Sequence, residues 1–156
     1  GRNVKKKFFF KNLFDSVSAY GVGSHRHMLE IDQELTKISG KTIKVFFTPH
    51  LIPMFRGILS TIYLETCGNY DAKKIYQYLK NYHKKNFFVK MAKFNTPIGT
   101  ADVMNTNYCN ISVRKSRIKN KIIIISTIDN LIKGASGQAV QNMNVAFKLK
   151  ETMGLI

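Results

Sequence analysis

The sequence predicts an α+β fold, in which an antiparallel-rich mixed sheet carries helices on one face. The strongest observation is the segment Lys121–Thr127, whose four consecutive isoleucines are typical of a central strand buried on both faces. The preceding segment, Tyr108–Val113, is close enough to form a hairpin with it around Lys115–Asn120. Segments with helical periodicity lie before and after this pair, which favours helices packed on a sheet.

Length and composition predict one folded domain spanning residues 1–156. Hydrophobic residues make up 44% of the chain and aromatic residues 12%, which is enough apolar side chain for a core. The longest apolar run is Ile122–Ile125, whereas a membrane-spanning helix needs roughly 20 apolar residues, so we expect no membrane partner. The chain begins at Gly1 without a recognisable signal peptide, and we expect a cytoplasmic piece of a longer protein.

The first half of the chain predicts one helix followed by two strands. Apolar residues recur at spacings of four and three over His27–Ile38, which predicts a helix that ends at Gly40. The β-branched and aromatic segment Thr42–Phe47 predicts a short strand. Apolar residues alternate over Gly57–Thr66, which predicts a second strand.

The second half predicts two further helices around the strands. Asp71 is a good N-cap for a helix that runs to about Lys84. Phe87–Met91 predicts a third strand. A long terminal helix is predicted from residue 130 or 132 to about residue 150, because apolar residues return on one side of it.

The charge of the chain is strongly positive, with 25 basic residues against 9 acidic ones and a net charge of +16. Five of the basic residues are arginine and the other 20 are lysine. Lysine, isoleucine and asparagine are the residues that AT-rich coding inflates, so we interpret the charge chiefly as a coding bias. The alternatives are an anionic substrate or a basic nucleic-acid-binding module, in which Tyr108 and Phe88 on strands would stack bases among lysines.

Cysteine and histidine spacing favours neither a disulfide framework nor a metal centre. Cys67 and Cys109 are too few for a disulfide framework, and we expect ordinary buried or half-buried thiols. His25 and His27 form a His-x-His pair, but the other two histidines have no ligand spacing to it. No metal site is therefore predicted.

The densest polar cluster combines His25, His27 and Glu30 at the start of the first predicted helix. In an extended segment, residues two apart point to the same side, and Glu30 in the first helical turn can reach back toward the second imidazole. This arrangement suits a general base that a carboxylate orients. The alternative is a pair of structural histidines.

Two further segments could present ligand-binding groups. The loop before Gly57 is stiffened by two prolines and offers His50 and Arg56, and arginine grips a carboxylate or phosphate with two parallel hydrogen bonds. A rigid structural loop with a solvated arginine is the alternative.

The glycines Gly134 and Gly137 are costly at a helix start, so something must need their close approach. A tight helix contact explains them. A ligand or a neighbouring domain lying on that helix start, with Asn130, Gln138 and Gln141 as amide partners, explains them as well.

Three blocks of sequence carry a resemblance to a known family. They are HRHxxEIxQEL (His25–Leu35), FTPHLIPMxRG (Phe47–Gly57) and DNLxKGAxGQAVQNxN (Asp129–Asn144). Together they resemble the C-terminal part of N-acetyl-gamma-glutamyl-phosphate reductases. One departure is Met28-Leu29, where many members carry Thr-Pro.

The resemblance implies an NADPH-dependent reductase that converts N-acetyl-gamma-glutamyl phosphate to N-acetylglutamate 5-semialdehyde in arginine biosynthesis. Reductases of a carrier-linked aminoadipyl phosphate, in lysine biosynthesis, share these blocks and remain an alternative. The fold implied is that of the C-terminal domain of glyceraldehyde-phosphate dehydrogenase-like enzymes, whose sheet joins the subunits of a dimer or tetramer. The N-terminal Rossmann domain, which binds NADP, and the catalytic cysteine motif are absent from this chain, so we expect it to be inactive alone.

The resemblance also implies roles for individual residues. His25 and His27 match the family's histidine pair, with Glu30 as the acidic residue of the same block. We expect His25, which follows the glycine turn Gly21-Val22-Gly23, to be the base. We expect His27 to hold phosphate or to orient His25. The resemblance also places Tyr20 near the site as a substrate-binding candidate. The chemistry of the residues themselves adds Arg26, His50 and Arg56 as substrate-binding candidates, and Asn130, Gly134 and Gln138 as cofactor-binding candidates.

Overall fold

The computed structural model describes residues 15–156 and divides the chain into two units. The N-terminal unit ends at Phe55 and the C-terminal unit spans Arg56–Ile156. Within the described part of the chain, no helix combines the length and apolar character needed to cross a membrane.

Over residues 15–55, the N-terminal unit contains one α-helix and a two-stranded antiparallel ladder. The ladder pairs β1 (Ser18–Ala19) with β2 (His50–Leu51). Helix α1 (His27–Ser39) confirms the prediction for this segment. The helix ends at Gly40, whose φ of 68° is left-handed and whose N–H donates to the carbonyl of Thr36, as in a glycine C-cap.

The strand predicted for Thr42–Phe47 is wrong, because this segment joins no ladder. Its backbone N–H groups instead bond to side chains of α1. The N–H of Ile43 donates to Thr36 Oγ1 at 2.9 Å, and the N–H of Val45 donates to Asp32 Oδ1 at 2.9 Å. Side-chain acceptors one helical turn apart thus take the place of a neighbouring strand.

The C-terminal unit is built on a four-stranded sheet, and the α+β class is confirmed. The strand order is β3-β6-β5-β4, with one parallel pair, β4 with β5, and two antiparallel pairs. The predicted hairpin of β5 with β6 is confirmed, and β6 lies between β3 and β5. The strands are β3 (Ile58–Glu65), β4 (Val89–Met91), β5 (Cys109–Lys115) and β6 (Lys121–Ile128).

The core of this unit lies where α2 (Ala72–Tyr82) packs on one face of the sheet. The predicted N-cap is confirmed, because Asp71 accepts the N–H of Lys74 at 2.8 Å. The helix buries Tyr76 against Val113 and Ile122. Helix α2 therefore covers the face of β5 and β6 on which these two side chains lie.

Burial of the isoleucine strand is less complete than predicted. Ile122 and Thr127 are buried, but Ile123–Ile125 are only half-buried. Every residue of the neighbouring strand β3 is exposed. The isoleucine run therefore marks the central position of β6 without full cover on both faces.

The predicted terminal helix is present as one continuous helical segment, but it begins with a π turn and ends earlier than predicted. A π turn, Ile132–Ser136, comes first, and α3 (Gly137–Ala146) follows and ends well before Lys150. The carboxylate of Asp129 accepts the N–H groups of Leu131 and Ile132 at 2.9 and 3.2 Å, so the first turn is held from the end of β6. Asp129 thus provides an acceptor for N–H groups at the start of this helical segment.

Candidate functional site

The imidazole of His25 is held among aromatic rings within the N-terminal unit. Its ring centroid lies 5.4 Å from that of Tyr20, 5.3 Å from that of Phe47 and 4.7 Å from that of His27. Gly21, with a φ of 59°, lies so close that a Cβ atom there would be 3.0 Å from Cδ2 of His25. The glycine turn predicted to carry His25 thus packs directly against its ring.

A backbone contact determines which nitrogen of His25 carries the proton in this geometry. The N–H of His27 points to Nδ1 of His25 at 3.3 Å. Nδ1 is then an acceptor, so the neutral ring carries its proton on Nε2 and offers a donor there. In this arrangement His25 accepts a proton at Nε2 only after the Nδ1 contact breaks, and its role as the base stays a prediction.

The expected reach of Glu30 toward the second imidazole is present. Glu30 Oε2 lies 4.0 Å from Nε2 of His27, and the two side chains are 72% and 47% exposed. Solvent screens an ion pair of this kind, so it orients His27 only weakly. Arg26 stands at the N-cap of α1, and His50 lies opposite Ala19 in the small ladder, both with exposed side chains.

A second cluster lies in the C-terminal unit and centres on Asp129, which is only 1% exposed. Its Oδ2 accepts Nη1 of Arg56 at 3.0 Å and the N–H of Asn105 at 2.8 Å. Its Oδ1 accepts the N–H groups that start the π turn. Burial alone would raise the pKa of this carboxyl, but the hydrogen bonds from Asn105, Leu131, Arg56 and Ile132 outweigh it and lower the pKa.

The ends of two sequence blocks meet beside this carboxylate. The N–H of Gly57 donates to Oδ1 of Asn130 at 2.6 Å. Gly57 has a φ of 113°, and a Cβ atom there would lie 2.8 Å from Cβ of Thr100, so this close approach needs glycine. Arg56 and Asn130, predicted for substrate and cofactor, are therefore fixed at one place in the fold.

The two glycines of the terminal segment have different surroundings. A Cβ atom on Gly137 would collide with Oδ1 of Asn107 and lie 2.6 Å from Cγ2 of Ile132, so tight packing explains this glycine. A Cβ atom on Gly134 would meet Cδ1 of Ile128 at 3.4 Å, which packing nearly tolerates. Gln138 is half-buried, and its Nε2 donates to Asn142 at 2.8 Å.

A polar network ties α3 to the rest of the C-terminal unit. An amide donor and an amine donor converge on Oε1 of Gln141: Nδ2 of Asn107 at 2.9 Å and Nζ of Lys133 at 2.7 Å. Nε2 of Gln141 donates to Glu151 at 2.7 Å. Burial lowers the pKa of Lys133.

Comparison with known proteins identifies the fold family. The family model described as semialdehyde dehydrogenase, dimerisation domain, matches residues 1–130. The chain belongs to this family. The dimerisation domain is also 39% identical over 155 residues, 99% of its length, to N-acetyl-gamma-glutamyl-phosphate reductases of Staphylococcus aureus strains USA300 and Mu50. It covers 45% of those proteins, a little less than half of their length.

Solved structures agree with this assignment. Aspartate semialdehyde dehydrogenase II from Vibrio cholerae aligns with a TM-score of 0.62 at 21% identity, over 79% of this chain and 37% of that chain. Aspartate semialdehyde dehydrogenase from Francisella tularensis aligns with a TM-score of 0.64 at 18% identity, over 80% and 36%. At these identities the likeness concerns the fold. The resemblance predicted from the three sequence blocks is confirmed.

The dimerisation domain offers little to the nucleic-acid alternative. Phe88, one of its two proposed stacking residues, is 1% exposed and packs against Tyr108 with ring centroids 5.8 Å apart.

Cys67 is exposed, so its expected burial is wrong, because it follows the exposed strand β3. Cys109 is half-buried as expected, with Sγ 3.4 Å from Oγ of Ser126. Over residues 15–156, no three metal-ligating side chains come together.

Sequence reasoning missed the residues that organise the two clusters. It assigned Phe47 to a strand, whereas its ring packs on His25. Asp129 was only the first residue of a recognised block. The sequence does carry a signal for it. Asp129 comes directly after the isoleucine-rich strand segment, and an acidic residue buried at the end of a strand needs hydrogen-bond donors.

Proposed function

We propose that this chain is the C-terminal domain of an NADP-dependent N-acetyl-gamma-glutamyl-phosphate reductase in the cytoplasm. The full-length enzyme would convert N-acetyl-gamma-glutamyl phosphate to N-acetylglutamate 5-semialdehyde and phosphate in arginine biosynthesis. The observation that supports this best is the 39% identity that runs over 155 residues to enzymes of that name. The proposal assigns the thiol nucleophile and most of the nucleotide site to an N-terminal Rossmann domain.

The histidine cluster suits the proton transfers of this reaction. Reduction of an acyl phosphate through a thioester needs a thiolate and a group that moves protons to and from it. A ring held by Tyr20, Phe47 and Gly21 is pre-oriented for that task, and Nε2 of His25 offers the proton. His27, beside Glu30, is assigned to holding phosphate or orienting His25.

The cluster around Arg56 suits recognition of an anionic group, either the phosphate or a carboxylate of the substrate. The side chain of Arg56 is 18% exposed, and its guanidinium is held by Asp129. The cofactor, in its reduced form NADPH, would supply the hydride when bound. Half-buried Gln138, and Gly134 with ordinary packing space beside it, fit a contact with that cofactor, and a contact from Asn130 would use Nδ2, since Oδ1 accepts from Gly57.

The proposal includes a homo-oligomer, a dimer or a tetramer, joined through the sheet. Strand β3 is an edge strand of the described sheet, and it exposes Ile58, Leu59 and Ile62 by 45%, 48% and 42%, and Tyr63 by 75%. An apolar edge of this length invites a second chain. A second copy of the same surface is the occupant that the matched dimerisation domain indicates.

The test is an assay of the full-length protein with NADPH and N-acetyl-gamma-glutamyl phosphate, followed by NADPH absorbance. We expect turnover with this acyl phosphate and none by the 156-residue chain alone. Turnover only with a carrier-linked aminoadipyl phosphate would favour the lysine-biosynthesis alternative. No turnover with either would overturn the assignment to this reaction.

A further inference from the structure

We propose that Asp129 is a positioning residue that holds the guanidinium of Arg56 in the orientation in which it binds an anionic group of the substrate. The inference rests on the proposed function for the substrate, and on the geometry of the C-terminal unit for the positioning. Asp129 touches no substrate in this proposal. It acts through Arg56.

The carboxylate of Asp129 is used on both oxygens. Oδ2 accepts Nη1 of Arg56 at 3.0 Å and the N–H of Asn105 at 2.8 Å. Oδ1 accepts the N–H groups of Leu131 and Ile132 at 2.9 and 3.2 Å. An asparagine in this position would turn an NH₂ group toward two of these donors, so an acceptor-only side chain is required.

Asn105 closes a ring of hydrogen bonds with Arg56 and Asp129. Its Oδ1 accepts from Nη1 at 2.7 Å, while its own N–H donates to the carboxylate that accepts from the same Nη1. Two acceptors on one nitrogen fix the plane of the guanidinium, because the guanidinium is rigid and planar. Asn105 has a φ of 62°, a conformation that asparagine tolerates better than most residues.

The arginine is also fixed at its backbone. The N–H of the next residue, Gly57, donates to Oδ1 of Asn130 at 2.6 Å. Both anchors, Asp129 and Asn130, are neighbours in sequence at the end of β6, whereas Arg56 lies 73 residues away. Such a double anchor is more than a surface ion pair needs, and it suits a cation whose direction matters.

The charge of Asp129 also supports its role in positioning Arg56. The hydrogen bonds that Asp129 accepts keep its pKa below the ordinary value near 3.8 despite burial, so it is ionised at neutral pH. A buried carboxylate without a cation would be strongly unfavourable. Arg56 supplies that cation.

A double-mutant cycle in the full-length enzyme tests the proposal, with Asp129→Asn, Arg56→Ala and the double variant. We expect each single variant to raise KM for the acyl phosphate by about 10-fold or more, the scale of one charged hydrogen bond. In the Arg56→Ala background, Asp129→Asn should raise KM no further, because its effect passes through the arginine. An equal rise in both backgrounds would overturn the proposal.

A matched control separates positioning from general loss of stability. Asp102→Asn removes another carboxylate that accepts a backbone N–H, namely that of Gly99 at 2.8 Å. Unlike Asp129, Asp102 is exposed, and the contacts described for it include no arginine. We expect its KM to stay within about 2-fold of the wild type. If Asp129→Asn lowers thermal stability but leaves KM of the folded enzyme unchanged, Asp129 is merely structural and the proposal is wrong.

A second variant covers the case in which Asp129→Asn does not fold. Asn105→Gly removes only the second acceptor of Arg56 Nη1, and glycine suits the positive φ at this position. We expect about a 3-fold rise in KM, smaller than for Asp129→Asn because one acceptor remains. An unchanged KM here would contradict the positioning.

The positioning can be measured apart from the reaction. In full-length protein labelled with isotopic arginine, the Nη1 protons of Arg56 should exchange slowly with solvent in the wild type and rapidly in Asp129→Asn or Asn105→Gly. Rapid exchange in the wild type would overturn the proposal whatever the substrate. If exchange is slow but no acyl phosphate is turned over, it is the proposed function that fails.

Discussion

The histidine cluster and the Asp129 cluster are built in opposite ways. The first joins residues close in sequence, with its carboxylate 72% exposed, whereas the second joins residues 73 positions apart around a carboxylate with no exposed side-chain surface. Solvent screens the charges of the first and strengthens none of its contacts. In the second, every donor and acceptor is needed, because an unmatched buried charge is costly. The first cluster is the one proposed to move protons, and the second is the one proposed to hold Arg56 in place.

The largest effect should come from removing the buried carboxylate. Asp129→Ala removes the carboxylate to which Arg56 donates and the acceptor at the start of the π turn, so we expect the free energy of unfolding to fall by about 3–5 kcal/mol. Glu30→Ala, in the exposed cluster, should cost less than about 1 kcal/mol. Urea denaturation of the two variants checks this difference. Equal effects would break the contrast between the clusters.

The buried carboxylate of Asp129 also predicts how the stability of the folded state changes with pH. Because the folded pKa of Asp129 lies below its ordinary value near 3.8, its charge stabilises the folded state above that value. The contribution is lost as the pH falls through the lowered folded pKa. The difference in unfolding free energy between wild type and Asp129→Asn should thus be constant near neutral pH and shrink in acid. A difference that grows in acid would contradict this sign.

Catalysis should depend on the exposed cluster instead. Replacing His25 by Ala or Gln in the full-length enzyme should lower kcat by at least about 10²-fold with substrate affinity little changed, the scale of proton transfer by a placed histidine. His27→Ala should weaken substrate binding at least as much as it slows turnover. Steady-state kinetics distinguishes the two. The reverse pattern would exchange their roles, and no effect from either would remove the base from this cluster.

Gly137 and Gly134 offer a smaller, sharply matched test of packing in the C-terminal unit. Gly137→Ala should cost about 1–3 kcal/mol, because its Cβ atom meets Asn107 and Ile132. Gly134→Ala should be nearly neutral, because its nearest neighbour is the end of the Ile128 side chain at 3.4 Å. Thermal unfolding compares them. If Gly134→Ala is the more damaging, the packing explanation for Gly137 is wrong.

The smallest effect should be that of charge in the histidine cluster. Glu30→Gln keeps the shape of the side chain but removes its attraction for His27, 4.0 Å away and exposed. We expect the free energy of unfolding to fall by about 0.5 kcal/mol or less. Added salt should screen the attraction in the wild type and so abolish the difference between the two proteins. A large, salt-independent loss would mean that Glu30 is held more firmly than its exposure indicates.

The sequence by itself determined what depends on near neighbours. Helix α1, the Asp71 cap of α2 and the hairpin of β5 with β6 follow from periodicity, capping chemistry and short connections. The approach of Glu30 to His27 follows from the spacing of one helical turn. The family was likewise recognisable from its three blocks.

Only the tertiary structure decided what depends on distant partners. Thr42–Phe47 has strand propensity, but its backbone N–H groups bond to side chains of α1, so no ladder forms. The predicted terminal helix begins with a π turn, and Asp129, at the end of β6, accepts N–H groups at its start. That carboxylate's importance rests on an arginine 73 residues away. Burial makes hydrogen bonding obligatory, and which partner answers a buried group depends on how the chain folds back on itself.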